Sequence, residues 1–313
     1  MLRDSRILVT GAAGFLGANL VRRLCDEGAD VVAVVRPSTK PWRLRGLQQR
    51  IAVISADVND LLTVSNLPSF DLVYHLASAG VDQRMRDVGA MLDANVRGTS
   101  SLLEFIERRR VPLLVHAGTS GEYGPAQRAP EDQPLAPTNE YGATKAAATL
   151  LVQAFSRRTG IPAVVLRPFS VFGPLEASYR LVPYCVSRAL RGLPLEITNG
   201  LQTRDYVFVD DVVDAFVAAA TANASGVFNI CSGVSTPIRD MVLLITTKCG
   251  TATPPLFGAR REEPTEMWTT SGNPQKAADA LGWRVTTPIA EGLQRTIDWF
   301  RRAGADYPEA SAL

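Results

Sequence analysis

The stretch Arg6-Ile-Leu-Val-Thr-Gly-Ala-Ala-Gly-Phe-Leu-Gly17 constrains this chain more than any other. A short apolar strand runs straight into Gly11, Gly14 and Gly17. An amphipathic segment follows from Ala18 to Glu27, with Leu20, Val21 and Leu24 on one face. Strand, glycine turn and helix in that order open a dinucleotide-binding fold. Gly11 permits the tight turn, Gly14 lets a pyrophosphate approach the backbone, and Gly17 lets the helix lie near the strand. The helix N-terminus then offers unpaired N–H groups and a partial positive charge to the phosphates. Glycine-rich turns without chemistry also exist, so the strand and helix on either side carry the reading.

Further apolar runs follow at Ala29–Arg36, Ile51–Ser55, Leu72–Ala77, Leu113–Ala117 and Val164–Arg167. Near-continuous runs of this kind are expected of parallel strands covered on both faces. Helical stretches are expected at about 91–109 and 143–159. The pattern predicts an α/β fold, a doubly wound parallel Rossmann sheet of about seven strands. After Pro174 prolines and short elements become frequent, and Val207–Ala220 and Phe228–Cys231 are read as possible returns to the sheet. Residues 1–174 and 205–234 are thus assigned to the dinucleotide-binding domain. Residues 175–204 and 235–313 are assigned to a smaller C-terminal substrate-binding domain facing the carboxyl ends of the strands, where ligands of open α/β sheets bind. The tail after Ala303 is expected to be loosely ordered.

Composition narrows the function. The chain has 313 residues, 46% of them hydrophobic, so it can bury a full core, and its net charge of +2 argues against nucleic acid as a partner. Cys25, Cys185, Cys231 and Cys249 are scattered and read as reduced, buried small hydrophobes, and His75 and His116 form no metal-ligand spacing. No apolar run is long enough to span a bilayer, and the N-terminus reads as a strand rather than a signal peptide. A soluble cytoplasmic protein with no metal and no membrane partner is expected.

Arg36 closes the second strand, where an acid would grip the adenosine ribose of NAD. Lys40 and Arg43 follow, with Ser38 and Thr39 between. Basic groups there suit a ribose 2′-phosphate, which favours NADP over NAD; a solvated basic loop is the alternative. Asp57 and Val58, after the third strand, are placed to meet the adenine edge. Ala77 and Ser78, with Ala79 and Gly80, pass the pyrophosphate with small side chains.

Tyr141-Gly-Ala-Thr-Lys145 sets a phenol and an ammonium at i and i+4 on one helical face. A nearby ammonium stabilises the phenolate and lowers a pKa that is normally ~10, so the tyrosine exchanges protons near neutral pH. The same lysine is placed to hold the nicotinamide ribose. Thr119, at the end of the fifth strand in Ala117-Gly-Thr-Ser-Gly-Glu-Tyr-Gly124, offers a hydroxyl to the substrate oxygen.

With these pieces in place the chain resembles the extended short-chain dehydrogenase/reductases of the nucleotide-sugar epimerase/dehydratase group, over almost its whole length. The resemblance is carried by the glycine turn, His75-Leu-Ala-Ser78, Asn95-Val-Arg-Gly-Thr99, Thr119–Gly124, Tyr141–Lys145, Leu166-Arg-Pro-Phe-Ser-Val-Phe-Gly-Pro174, Gln202–Asp211 and Phe228-Asn-Ile-Cys-Ser-Gly233. It implies that Thr119, Tyr141 and Lys145 are the catalytic triad, with Asn95 supporting the lysine. It implies cofactor contacts at Phe15, Leu16, Leu76 and Pro168, and sugar contacts at Ser78, Ser120, Gly121 and Ser170. Arg204 and Arg260 would hold the diphosphate, and two such helices per subunit would build a homodimer. Leu102, Leu103, Phe105, Ile106, Leu150 and Leu151 are its candidate interface positions, unless one chain buries them all.

Two departures matter. Dehydratases of the group carry an acid directly after the threonine, whereas Ser120 and Gly121 stand here and Glu122 comes one position late. That disfavours 4,6-elimination, which needs an acid and a base at the sugar. Ser170 replaces the usual asparagine of the Arg-Pro-x-Asn segment. Three functions are carried forward. The first is an NADPH-dependent reductase of a nucleotide-linked 4-keto-6-deoxyhexose, which Arg36 and the resemblance of Val35–Leu44 and Gly118–Gly124 to the hexulose-reductase branch favour. The second is a nucleotide-sugar 4-epimerase with tightly held NAD. The third is a non-catalytic dinucleotide sensor.

Overall fold

The computed structural model describes residues 2–82, 85–262 and 266–303; the expectation for the tail after Ala303 falls outside them. Seven parallel strands form the central sheet. They are β1 (Arg6–Thr10), β2 (Asp30–Val35), β3 (Ile51–Ser55), β4 (Leu72–His75), β5 (Leu114–Ala117), β6 (Ala163–Pro168) and β7 (Gly226–Ile230), in the order β7-β6-β5-β4-β1-β2-β3. The strand order reverses between β1 and β4, and the two chain ends that leave there open a crevice.

The strands' two-residue period sorts the core. Ile7 and Val9 face one way and pack with helix α1 (Phe15–Asp26) and the helix at Val209–Thr221. Leu8 faces the other way with Val73 and Leu114, against α2 (Gly98–Arg109) and α3 (Glu140–Thr159). The helix expected at about 91–109 comes in pieces, since the turn Leu92–Arg97 widens to the π form before α2. The helix expected from 143 starts at Glu140, capped by the Asn139 side chain, which accepts from the Gly142 N–H at 2.8 Å.

One expected return to the sheet is corrected. Tyr206–Phe208 is a three-residue strand paired with Ser170–Phe172, outside the seven-stranded sheet, and Val209–Thr221 is a helix (α4). Its buried Val209, Val212, Val213, Phe216 and Ala219 follow a helical period that the density of valines disguises. Phe228–Ile230 does return, as part of β7. Helices at Leu181–Leu190, Ile238–Cys249 and Ile289–Ala303 share a separate core that includes Tyr184, Met241, Ile245 and Ile297. All four cysteines are free. No helix among the described residues is long and apolar enough to cross a membrane.

Candidate active site

The glycine turn builds a cradle. Gly11 has φ +70°, and a Cβ there would sit 2.5 Å from the backbone of Leu76 and Ala77. A Cβ on Gly17 would lie 2.1 Å from the Gly11 carbonyl oxygen, so α1 presses against the turn. Gly14 is the N-cap of α1 and supplies no side-chain cap, which leaves the first helical N–H groups facing the crevice. The crevice is a cleft of about 810 Å³. Gly11, Gly14, Phe15, Leu16 and Gly17 line its floor, with Leu76, Ala77 and Ser78 along the adjoining β4 exit.

At one end the wall is formed by Arg36, Asp57 and Val58, together with Thr39 and Arg43. Arg36 is exposed and follows β2 directly. Arg43 is tied down, its Nε donating to the Leu175 carbonyl at 2.8 Å and its guanidinium lying 4.4 Å from the Trp42 ring centroid. Lys40 is not among the lining residues.

At the other end Thr119, Ser120, Gly121, Tyr141, Lys145, Pro168 and Ser170 converge. Thr119 caps the turn after β5, its hydroxyl accepting from the Gly121 N–H at 3.2 Å and hydrogen-bonding the Tyr141 phenol. Asn95 lies just behind. Its Oδ1 accepts from the Ala79 N–H at 2.8 Å, and its Nδ2 donates to the Ala79 carbonyl at 3.0 Å and to Thr144 Oγ1 at 2.9 Å. Asn95 therefore staples the β4 exit to α3 beside Lys145 rather than lining the cleft.

Arg204 reaches the cleft wall with Met267 and Thr270, but it is already paired with Glu266 and donates to the Thr203 and Met267 carbonyls. Arg260 does not line the cleft; its guanidinium sits 4.5 Å from the Tyr184 ring centroid.

The electrostatics differ from the simple expectation of a phenol acidified by Lys145. Burial pushes the Tyr141 phenol up to about 12, against the Thr119 hydrogen bond and the Arg180 charge, which pull it down; Glu122 and Tyr179 add to the rise. Burial also pulls Lys145 down to about 8, with Glu122 holding it up. The ammonium is turned toward a residue the sequence did not single out. Lys145 Nζ donates to His116 Nε2 at 3.4 Å, so the imidazole proton is on Nδ1, which is buried and has no hydrogen-bond partner among the described residues.

His75 is the paired residue on β4, its ring centroid 5.0 Å from that of His116. The Thr99 hydroxyl donates to the Asn95 carbonyl at 2.6 Å and so accepts from His75 Nε2 at 3.0 Å, leaving Nδ1 to accept from the Thr10 hydroxyl at 2.7 Å. Both rings are held neutral, His75 down at about 3 and His116 well below its ordinary value. Burial is the main cause, followed by the Lys145 charge.

Two other residues of the cleft were missed in the sequence. Glu176 and Arg180 sit 3.6 Å apart near Ser170, and burial pushes Glu176 up to about 8. The Phe-Gly-Pro174 turn placed them close to the site, but no spacing marked them as functional.

A glycine-cradled helix N-terminus beside a Tyr–Lys pair on the next helical layer, at the switch point of a parallel sheet, defines an extended short-chain dehydrogenase/reductase. The chain belongs to the NAD dependent epimerase/dehydratase family, whose profile matches residues 7–231. It is 32% identical over 310 residues to UDP-glucose 4-epimerase of Mycolicibacterium smegmatis, covering 95% of this chain and 98% of that one. It is also 32% identical over 316 residues to dTDP-glucose 4,6-dehydratase of Streptomyces antibioticus, covering 94% and 92%. Among solved structures, that of MoeE5 in complex with UDP-glucuronic acid and NAD superposes with a TM-score of 0.85 at 33% identity, over 96% of this chain and 100% of that one. The cradle fits such a dinucleotide, since the missing Cβ atoms of Gly11 and Gly17 let turn, helix and β4 exit pack backbone to backbone, and the uncapped N-terminus of α1 at Gly14 is left open for a pyrophosphate.

Proposed function

We propose that this protein is a nucleotide-sugar 4-epimerase. The observation that carries the reading is the pairing of an intact Thr119–Tyr141–Lys145 set with Ser120 and Gly121 where an eliminating enzyme needs an acid. The site has a group to move a proton at a hydroxyl and none to expel water from the neighbouring carbons. The M. smegmatis epimerase and the nucleotide sugar and NAD in the MoeE5 structure support the same class.

The nicotinamide ring supplies hydride acceptance and return when a dinucleotide is bound. The chain's own residues do the rest. The α1 N-terminus and Gly14 hold the pyrophosphate, and Asp57 and Val58 hold the adenine edge. Lys145 holds the ribose. Tyr141, in the fraction of the enzyme whose phenol has lost its own proton, takes the proton from the sugar's C4 hydroxyl as the phenolate and gives it back, while Thr119 steadies the oxygen as charge develops. Arg204 is assigned to the substrate diphosphate, exchanging Glu266 for phosphate. Arg260 keeps that assignment only if it leaves Tyr184. Residues 175–204 and 235–313 are proposed to form the lobe that encloses the nucleotide sugar.

One observation favours a second reading. Arg36 stands in the cleft where NAD-specific sites carry an acid, which suits NADPH and hence a net reductase of a 4-keto-6-deoxy nucleotide sugar. Incubation with UDP-glucose and NAD separates the two, with the products resolved by proton NMR. Appearance of the C4 epimer without net change in cofactor supports the epimerase. No epimer, together with consumption of NADPH on a 4-keto-6-deoxy sugar, supports the reductase.

The proposed homodimer has a smaller basis than the six apolar positions gave it. Leu102, Leu103, Phe105 and Ile106 are core residues of this chain and Leu151 packs partly against the same core, so only Leu150, 53% exposed on α3, is left of the six as a candidate contact. Sedimentation at micromolar concentration tests it, and a monomer counts against it.

A further inference from the structure

We propose that Glu122, through its buried ion pair with Arg167, is a positioning residue of the active site: it holds the turn that carries Thr119 and places one negative charge behind the Tyr141–Lys145 pair. This rests on Tyr141 and Lys145 being the working pair. Glu122 does not enter the cleft. It is fully buried, and its Oε1 accepts from the Thr119 N–H at 2.8 Å, which closes a capping box with the Thr119 hydroxyl. Its Oε2 accepts from Arg167 Nε at 2.8 Å, and Arg167 is itself only 2% exposed.

From there a polar chain crosses the sheet. Arg167 Nη1 donates to Tyr123 Oη at 2.7 Å, and the Tyr123 hydroxyl donates to Asn229 Oδ1 at 2.8 Å. Asn229 Nδ2 donates to the Ala129 carbonyl at 2.8 Å, and the Asn229 N–H donates to Glu131 at 2.9 Å. The turn that aims Thr119 at Tyr141 is thereby fixed to the ends of β5, β6 and β7 at once. A Cβ on Gly118 would come within 2.6 Å of the Glu122 carboxylate, so the space beside the catalytic strand end is taken by that group.

A hydrogen bond from a backbone N–H needs an acceptor, not a charge, and a buried ion pair is a costly way to supply one. The charge has somewhere to act. Tyr141 is faced by Thr119, Arg180, Glu122 and Tyr179, and Lys145 by His116, His75 and Glu122. Glu122 itself is faced by Arg167 and Tyr123, with Glu131 beyond them. Of these groups Glu122 is the one anion that acts on both members of the pair. It keeps the proton on the phenol and the charge on the ammonium, against the burial that drives Lys145 toward neutrality.

The test reads Lys145 directly. The chain has only four lysines, Lys40, Lys145, Lys248 and Lys276, so ε-carbon-labelled lysine gives four NMR titrations. The Lys145→Met variant identifies the one that belongs to Lys145. In Glu122→Gln the Lys145 midpoint is expected to fall by about half a pH unit or more, as expected for removal of a nearby charge at an effective protein dielectric. The Thr119 amide should stay protected from exchange, because the amide oxygen still accepts. Arg167→Lys keeps both charges and should leave the midpoint at the wild-type value.

Should the single variant not fold, Glu122→Met with Arg167→Met replaces the pair by apolar side chains of similar volume, a change that folds tolerate. It should lower the Lys145 midpoint and also expose the Thr119 amide to exchange. A Lys145 midpoint unmoved or raised in a folded Glu122→Gln protein overturns the proposal and leaves Glu122 a structural residue. Failure of the underlying proton-transfer reading shows separately, as full turnover of UDP-glucose by Tyr141→Phe.

Discussion

Lys145 Nζ lies 3.4 Å from His116 Nε2, so the buried ammonium leans on a neutral ring rather than on a carboxylate. His116 in turn lies tilted at 41° against His75, and both rings are kept uncharged by burial and by the lysine. The fold thus refuses two protons that an unfolded chain takes up near pH 6.5.

Stability should therefore fall as pH drops below about 6.5, and for His75 the loss should continue down to about 3. Above pH 6.5 both states are neutral and the two rings add no slope. Each ring accounts for up to about 1.4 kcal/mol per pH unit inside its window. Urea unfolding across that range measures the slope. His75→Gln should make it shallower, and an unchanged slope would show that His75 is protonated inside the fold.

Tyr141→Phe removes the transferable proton and keeps the ring. Turnover should drop by roughly 10²–10⁴-fold, the range lost with a general acid–base group, while dinucleotide affinity by fluorescence titration survives. Lys145→Met should damage both, because it also removes the ribose contact. Equal loss of affinity in the two variants would deny Lys145 that contact.

Arg36→Asp should weaken NADPH and spare or improve NADH. A carboxylate at the end of β2 repels a 2′-phosphate and accepts from a ribose hydroxyl. Arg36 is exposed, so the fold should tolerate the change. Unaltered affinity for both cofactors would make Arg36 an ordinary surface residue and remove the main support for the reductase reading.

Gly17→Ala should disable the cradle. The new methyl would meet the Gly11 carbonyl oxygen at 2.1 Å, and that atom belongs to a backbone already fixed by Gly11 at φ +70°. Overpacking of this kind costs about 1–3 kcal/mol and shifts α1 away from the turn. A lowered melting temperature together with lost dinucleotide binding is expected. Binding at wild-type strength would mean that the turn yields without consequence.

The parts legible in the sequence are those written in local spacing. The glycine turn, the Tyr141–Lys145 step and the strand-ending Thr119 each announce themselves within a dozen residues, and the structure brings all three to one cleft. The parts that were not legible are set by distant partners. Nothing near Glu122 says that it will turn inward to an arginine on another strand, and nothing near Lys145 says that its neighbour will be His116. Val209–Thr221 was misread because valines suit strands and crowd out the helical period. Arg204 and Arg260 look alike as letters, yet one reaches the cleft and the other stacks on Tyr184.

Strand β7 pairs with β6 only after the whole stretch from Phe169 to Ser225 has been laid down. Until then the backbone of β6 is an open edge, and Asn229, which closes the polar chain under Thr119, does not yet exist. A chain emerging from a ribosome makes its dinucleotide cradle early and its finished catalytic floor late, since synthesis runs at about 5–20 residues per second. Such an unpaired edge is where nascent chains stick to one another. Truncation upstream of Gly226 should accordingly yield a species that aggregates, whereas a chain carried through Ile230 covers that edge with its own strand.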